Sequence, residues 1–288
     1  MKKVIYILAL FINVAAFAQQ SPSFSLYKFN MNIFNPAYAG ASGTEVNLNF
    51  KTAGVEDGPS SQAGSASTNL GSNLGLGISV VNDNLFVKSE TAATVDVSYK
   101  LQVADQTNLY LGVKAGANFV SVDFTDIITT DPNDPLFGAN QSVTNPMFGA
   151  GLLLKGERYF VTASIPNFIG GDQYKLDGSS DVNLEGSEDL VTYLGAGMDF
   201  DLGTSLVLKP SVFTKFESGN TSIDLIAGFE YNKLVEAGVV DRLDELFAGY
   251  AVVNIKDFAA VGFSYNSVIG DFQDFDNGSF EFLVKLKF

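Results

Sequence analysis

The chain has 288 residues, 46% of them hydrophobic and only 17% charged, with 28 Gly, 25 Phe and 11 Tyr but no Cys, His or Trp. That composition excludes a Ser-His-Asp triad, a cysteine nucleophile, a disulfide framework and any metal site built on imidazole or thiolate. The balance of 17 Lys and Arg against 32 Asp and Glu argues against nucleic acid as a partner, and so large an aromatic load must be buried or placed in lipid, which argues against a disordered chain.

The first residues read as an export signal. Lys2 and Lys3 precede an apolar stretch from Val4 to Phe17, and Ala16-Phe17-Ala18 before Gln19 has the small-x-small form of a cleavage site. Cleavage is expected between Ala18 and Gln19. A membrane anchor is the competing reading, but the stretch is interrupted by Asn13 and is shorter than the roughly 18 apolar residues that span a bilayer.

Residues 19–43 show no clean periodicity, and Asn35-Pro36 is a turn initiator. This segment is expected either to fold back against the periplasmic mouth or into the lumen of a barrel formed by the remaining chain, or to dock as a periplasmic tail.

From residue 44 apolar and polar residues alternate with period two, which is strand patterning. Val46, Leu48 and Phe50 alternate with Glu45, Asn47, Asn49 and Lys51; Val95, Val97, Tyr99 and Leu101 alternate with Thr94, Asp96, Ser98 and Lys100. Strands are predicted at 44–53, 61–70, 74–82, 91–101, 107–120, 146–155, 158–165, 190–201, 205–216, 221–231, 234–242, 246–256, 258–266 and 279–288.

Connections after even-numbered strands are tight, as at Gly71-Ser72-Asn73, Gly156-Glu157, Gly203-Thr204 and Asn232-Lys233, whereas most after odd-numbered strands are longer, above all 121–145 and 166–189. An exported chain with an even number of ten-residue strands and turns alternating short and long matches an outer-membrane antiparallel β-barrel of about 14 strands, residues 44–288, with both ends in the periplasm. Every backbone polar group in hydrocarbon must be paired within the protein, and a closed barrel is the all-β solution. A soluble sandwich also alternates, but this many strands would need two sandwiches and a linker, and the sequence shows none.

The last strand supports the membrane reading. Phe280, Phe282, Val284, Leu286 and the terminal Phe288 alternate with Glu281, Lys285 and Lys287, and this resembles the recognition signal of proteins inserted by the barrel assembly machinery.

Fourteen strands enclose a lumen unless something fills it. Gly75, Gly77, Gly112, Gly116, Gly195 and Gly197 fall at inward positions, where small residues leave room for a filling segment or mark bends in the strands.

Candidate chemistry is sparse. Gly149-Ala150-Gly151 and Gly195-Ala196-Gly197 are halves of a dinucleotide fingerprint inside strands, with no helix to hold a phosphate, so they read as structural. Asp131, Asn133 and Asp134 lack the EF-hand order, and Glu185, Glu188 and Asp189 read as a solvated loop. No catalytic, cofactor or metal site is expected.

One resemblance covers nearly the whole chain. Gln19-Gln20-Ser21-Pro22-Ser23-Phe24-Ser25-Leu26-Tyr27, then Phe29-Asn30 and Asn35-Pro36-Ala37-Tyr38-Ala39-Gly40, closely resemble the opening of the PorP/SprF family of type IX secretion system membrane proteins. Leu76-Gly77-Ile78 with Asn82-Asp83, Phe148-Gly149-Ala150-Gly151, Ser164-Ile165-Pro166-Asn167, Pro210-Ser211-Val212 with Lys215, Gly262-Phe263-Ser264-Tyr265 and Gly278-Ser279-Phe280-Glu281 agree in order. The family often carries His at the position of Phe280.

The resemblance implies an outer-membrane barrel without enzymatic activity that helps particular secreted cargo proteins, typically large adhesins, to pass the type IX machinery or stay at the surface. It also implies contacts with periplasmic ring or peptidoglycan-binding components and, in some members, a role in gliding motility. The motif residues Phe29, Asn30, Asn35, Pro36, Ala37, Tyr38 and Gly40 are the expected partner or plug contacts. A passive porin, or a transporter of small hydrophobic solutes, is the alternative.

Overall fold

In the computed structural model the described residues are 24–55, 58–123, 141–177, 183–187, 190–217, 220–269 and 278–288. Their strands are β1 Glu45–Ala53, β2 Ser60–Leu70, β3 Leu74–Leu85, β4 Lys88–Ala104, β5 Thr107–Val122, β6 Gln141–Lys155, β7 Tyr159–Ile165, β8 Asp172–Asp177, β9 Asn183–Ser187, β10 Val191–Met198, β11 Phe200–Asp201, β12 Leu206–Glu217, β13 Asn220–Tyr231, β14 Val235–Arg242, β15 Leu246–Ile255, β16 Ala259–Val268 and β17 Ser279–Lys287.

Each wall strand pairs antiparallel with its sequence neighbours, and the ring closes where β1 meets β17, Glu45 opposite Lys287 and Phe50 opposite Phe282. β10 and β11 both pair with β12 and act as one wall strand broken at Asp199, so the barrel has 14 strands. β8 and β9 form a separate hairpin in the long connection between β7 and β10.

The barrel is built inside out relative to a soluble domain. In β1 the polar Asn47 and Asn49 are 1% and 0% exposed, while Leu48 and Phe50 are 40% and 44% exposed and face the bilayer. The same inversion recurs in β4, where Asp96 and Ser98 are buried and Val95, Val97 and Tyr99 are exposed. On these strands lipid takes the apolar face and the lumen the polar one, whereas Phe213, Ile226, Val240, Leu246 and Leu283 turn inward and form a buried apolar cluster with Phe24, Leu26, Met31 and Ile33.

At the end of the barrel holding the start of β1 and the end of β17, connections are tight. Asn232 and Lys233 have φ of 51° and 56°, the two left-handed residues that a type I′ hairpin requires. This is the periplasmic end, and the long connections lie outside.

The sequence reading needs correction at four places. β3 runs to Leu85 and β4 starts at Lys88, so 83–90 is a tight hairpin through Phe86-Val87 instead of a loop, and β6 begins at Gln141 instead of 146. About ten residues span the hydrocarbon, so these extensions stand above it with both faces wet, where alternation carries no advantage and disappears. The region 166–189 contains the β8–β9 hairpin, and the single strand expected at 190–201 breaks at Asp199.

Candidate functional site: a segment seated in the lumen

Three single 3-10 turns, Tyr27–Phe29, Met31–Ile33 and Pro36–Tyr38, carry the chain before β1 through the barrel interior. Ala39 and Gly40 lie near Gly75 at the periplasmic end of β3, while Ser25 and Leu26 reach Glu281 near the outer end of β17. The segment therefore enters at the periplasmic mouth and rises toward the outside, with its earlier residues uppermost.

The wall holds it from every side. Asn30 donates to Asn49 Oδ1 on β1 at 2.9 Å and accepts from Ser65 Oγ on β2 at 2.5 Å. Asn32 donates to Asp96 Oδ2 on β4 at 3.1 Å, and Lys114 Nζ on β5 donates to the Asn32 carbonyl at 3.3 Å. Lys28 forms an ion pair with Glu236 on β14 and donates to the Tyr250 hydroxyl on β15 at 2.8 Å, while Lys285 Nζ donates to the Phe29 carbonyl at 3.2 Å.

Asn35-Pro36 shows why local sequence sets this path. Asn35 sits in extended backbone and caps the following turn, its Oδ1 accepting from Ala37 N at 2.8 Å, with Pro36 in the first position, where its missing N–H costs nothing. Its Nδ2 turns outward to the wall, donating to Thr162 Oγ1 at 2.7 Å and to the carbonyls of Leu152 and Ala163 at 3.1 and 3.2 Å. One side chain thus ends a turn and anchors it to two strands.

Two groups carry buried charge in the seat. Asp96 and Lys114 pair at 2.9 Å with side chains 0% and 1% exposed. Glu281 is fully buried; its carboxylate accepts from Ser25 N at 2.7 Å, from Leu26 N at 3.2 Å and from Asn49 Nδ2 at 3.1 Å. Within the segment, burial holds the Lys28 ammonium below the usual lysine range despite the pull of Glu236, and burial raises the Tyr38 phenol above its usual range.

Glycine lets the backbones meet. A Cβ on Gly112 would lie 2.2 Å from Ala37 N, one on Gly75 2.1 Å from the Ala39 carbonyl oxygen, and one on Gly151 2.0 Å from Asn35 Oδ1. Two of these obstructing atoms are backbone, which cannot swing aside. Replacing Gly112 by Leu is expected to expel the segment while leaving the lipid-facing surface intact. The check is limited proteolysis, with new cleavage between residues 24 and 43 and unchanged heat-modifiable mobility of the barrel.

The residues singled out from sequence fall into three groups. Phe29, Asn30, Asn35, Pro36, Ala37, Tyr38 and Gly40 are brought together in the lumen, Gly40 in a left-handed conformation at φ +68°. Phe280 and Phe282 on the last strand and Phe288 just past its end are exposed, with Phe263 lying 6.2 Å from Phe280 and 5.3 Å from Phe282, apart from the lumen. Ala18, Gln19, Asp131, Asn133, Asp134, Glu188 and Asp189 lie outside the described residues, and Glu185 falls in β9.

Of the glycines expected at inward positions, Gly75, Gly77 and Gly112 seat the segment. Gly116 instead approaches the backbone of β4, and Gly195 and Gly197 make room for Phe213 and Phe160. Sequence reasoning passed over Lys28, Asn32, Asp96, Lys114, Thr162, Glu236 and Glu281. The available signal was a charged or amide residue at an inward strand position, where an empty lumen would demand nothing so specific. Among the described residues no group of three or more acids is placed to hold a metal ion.

Among solved structures, the chain is similar to the outer membrane protein Omp33 of Acinetobacter baumannii, at 9% identity, covering 85% of this chain and 98% of that one with a TM-score of 0.50. It is also similar to the CymD monoaromatic hydrocarbon channel (11% identity, 89% and 91% covered, TM-score 0.48) and to a Pseudomonas aeruginosa FadL homologue (14%, 85% and 90%, TM-score 0.46). At these identities the first likeness supports the barrel fold alone. Among curated proteins, none matches the chain. The family described as type IX secretion system membrane protein PorP/SprF matches residues 16–286. With a matched range running from before the lumen segment to the last strand, this outer-membrane barrel belongs to the PorP/SprF family of type IX secretion system membrane proteins.

Proposed function

We propose that the protein is a plugged, non-enzymatic scaffold in the outer membrane that supports secretion or surface attachment of particular type IX cargo proteins, such as adhesins, and through them gliding motility. The observation that carries this reading is the seated N-terminal segment. Its backbone and side chains are bound to β1, β2, β4, β5, β6, β7, β14, β15 and β17, so the strongest family motif fills the lumen that a conduit would keep open. An open passive porin needs that space free, whereas a transporter of hydrophobic solutes can carry a plug and is set apart from the scaffold by the secretion test below.

Below the segment a cavity of about 270 Å³ remains on the periplasmic side, lined by Lys28, Lys155, Lys209, Lys285, Glu45 and Glu236 among others. It is a natural place for a periplasmic component of the machinery to engage. The test is quantitative mass spectrometry of surface and culture-fluid proteins from cells with and without the gene. Selective loss of one or a few large secreted proteins is expected; unchanged secretion with altered solute uptake would overturn the scaffold reading.

A further inference from the structure

The cavity of about 270 Å³ beneath the seated segment holds charges of both signs beside apolar side chains. Most of these charges are spent on one another. Lys28 pairs with Glu236, Lys209 with Glu230 at 2.7 Å and Lys285 with Glu45 at 2.8 Å.

Two are not. The Lys155 ammonium donates to the Ala41 carbonyl at 3.1 Å and to Ser42 Oγ at 3.2 Å, and among the described residues it forms no ion pair. An ammonium has three N–H donors, so one is left over. Asp199, at the break between β10 and β11, carries neither a hydrogen bond nor an ion pair on its carboxylate among the described residues. The ammonium groups whose field reaches it, Lys209 and Lys28, are already held by Glu230 and Glu236. Both Lys155 and Asp199 are partly buried, and a charge withdrawn from water without a counter-charge is costly.

Strand order sets the spacing of the two groups. β7 lies between β6 and β10, and its Phe160 is opposite Lys155 on one side and Gly197 on the other. Two strand spacings put the backbones of β6 and β10 about 10 Å apart. Asp199 is one inward position beyond Gly197, toward the periplasm. Phe160 lines the cavity between the two charges, and Leu153 lines it beside Lys155.

We propose that this cavity is a binding site for a zwitterionic group, a carboxylate and an ammonium carried several Å apart on an apolar stem, with the carboxylate on Lys155, the ammonium on Asp199 and the stem across Phe160. A lone anion leaves Asp199 unmet. A metal ion leaves Lys155 unmet and finds few free oxygens, because Glu45 and Glu236 are engaged by lysines. The site goes beyond the scaffold reading, since a free amino acid and neighbouring acidic and basic side chains of a polypeptide offer the same chemistry.

The test is a saturation-transfer NMR titration of the purified full-length protein in detergent with 6-aminohexanoate, against hexanoate and hexylammonium, which keep the stem and one charge each. The zwitterion is expected to bind about tenfold more tightly than either analogue, and more weakly as salt rises. Lys155→Met is expected to lower its affinity to that of hexylammonium, and Asp199→Asn to that of hexanoate, a crossed pattern that general loosening of the mouth does not produce. Unchanged heat-modifiable mobility and continued protection of residues 24–43 from proteolysis verify that both variants keep the barrel and the seated segment. An acetylated and amidated Gly-Lys-Ala-Glu-Gly peptide distinguishes the sources: tighter binding than 6-aminohexanoate assigns the site to a polypeptide, and weaker binding assigns it to a free solute. Equal affinity for the zwitterion and both singly charged analogues, no binding of either zwitterionic probe, or binding indifferent to both substitutions would overturn the proposal. Binding of the zwitterion together with unchanged secretion from deletion cells would keep the site and refute the scaffold alone.

Discussion

In planar bilayers the full-length protein is expected to give no steady ion current, and removal of residues 21–40 is expected to produce discrete channel openings. The wall does not depend on the segment for closure, since β1 pairs with β17 along nine residue pairs from Glu45–Lys287 to Ala53–Ser279. Once the segment is gone, the polar seats at Asp96, Lys114 and Glu281 face a lumen that water can enter and satisfy. The deletion also has a partner of unchanged length. Gly112→Leu puts side-chain carbon where Ala37 N now lies 2.2 Å from a hypothetical Cβ, and it is expected to open the same current. Steady conductance in the full-length protein equal to that of both variants would show that the segment does not plug the barrel.

The second large effect concerns the Asp96–Lys114 pair. Lys114→Met removes the ammonium that joins Asp96, Thr94 and the Asn32 carbonyl, and leaves a carboxylate with no exposed surface beside an amide donor. Breaking one side of a buried pair costs on the order of 3–5 kcal/mol, whereas replacing both sides by apolar groups of similar volume is often close to neutral. Urea unfolding in lipid vesicles is expected to show a large loss for Lys114→Met and recovery of most of it in Asp96→Leu combined with Lys114→Met. The double variant separates charge from fold. If it remains as unstable as the single one, the pair's value lies in its bonds to Asn32 and not in mutual neutralisation.

Much of the wall was legible because a membrane barrel imposes a two-residue period that lipid enforces at each strand. Asn47, Leu48, Asn49 and Phe50 had to alternate, and they did. The errors at 83–90 and 141–145 share one cause: strands that rise above the hydrocarbon are wet on both faces, and period two no longer reports them. The site was legible in part. Asn35-Pro36 announced a capped turn, and the inward glycines announced spare room, but either tail or plug satisfied both.

The sequence by itself determined the strand count and the family, because each rests on local pattern or on motif identity. Only the tertiary structure decided that the segment before β1 lies in the lumen and which wall residues receive it. Those contacts join positions far apart in the chain, Ser25 with Glu281, Lys28 with Glu236, Asn32 with Lys114, Asn35 with Thr162. Strand register brings their partners to one depth of the barrel, and no local periodicity encodes which inward residue will face which turn of the plug.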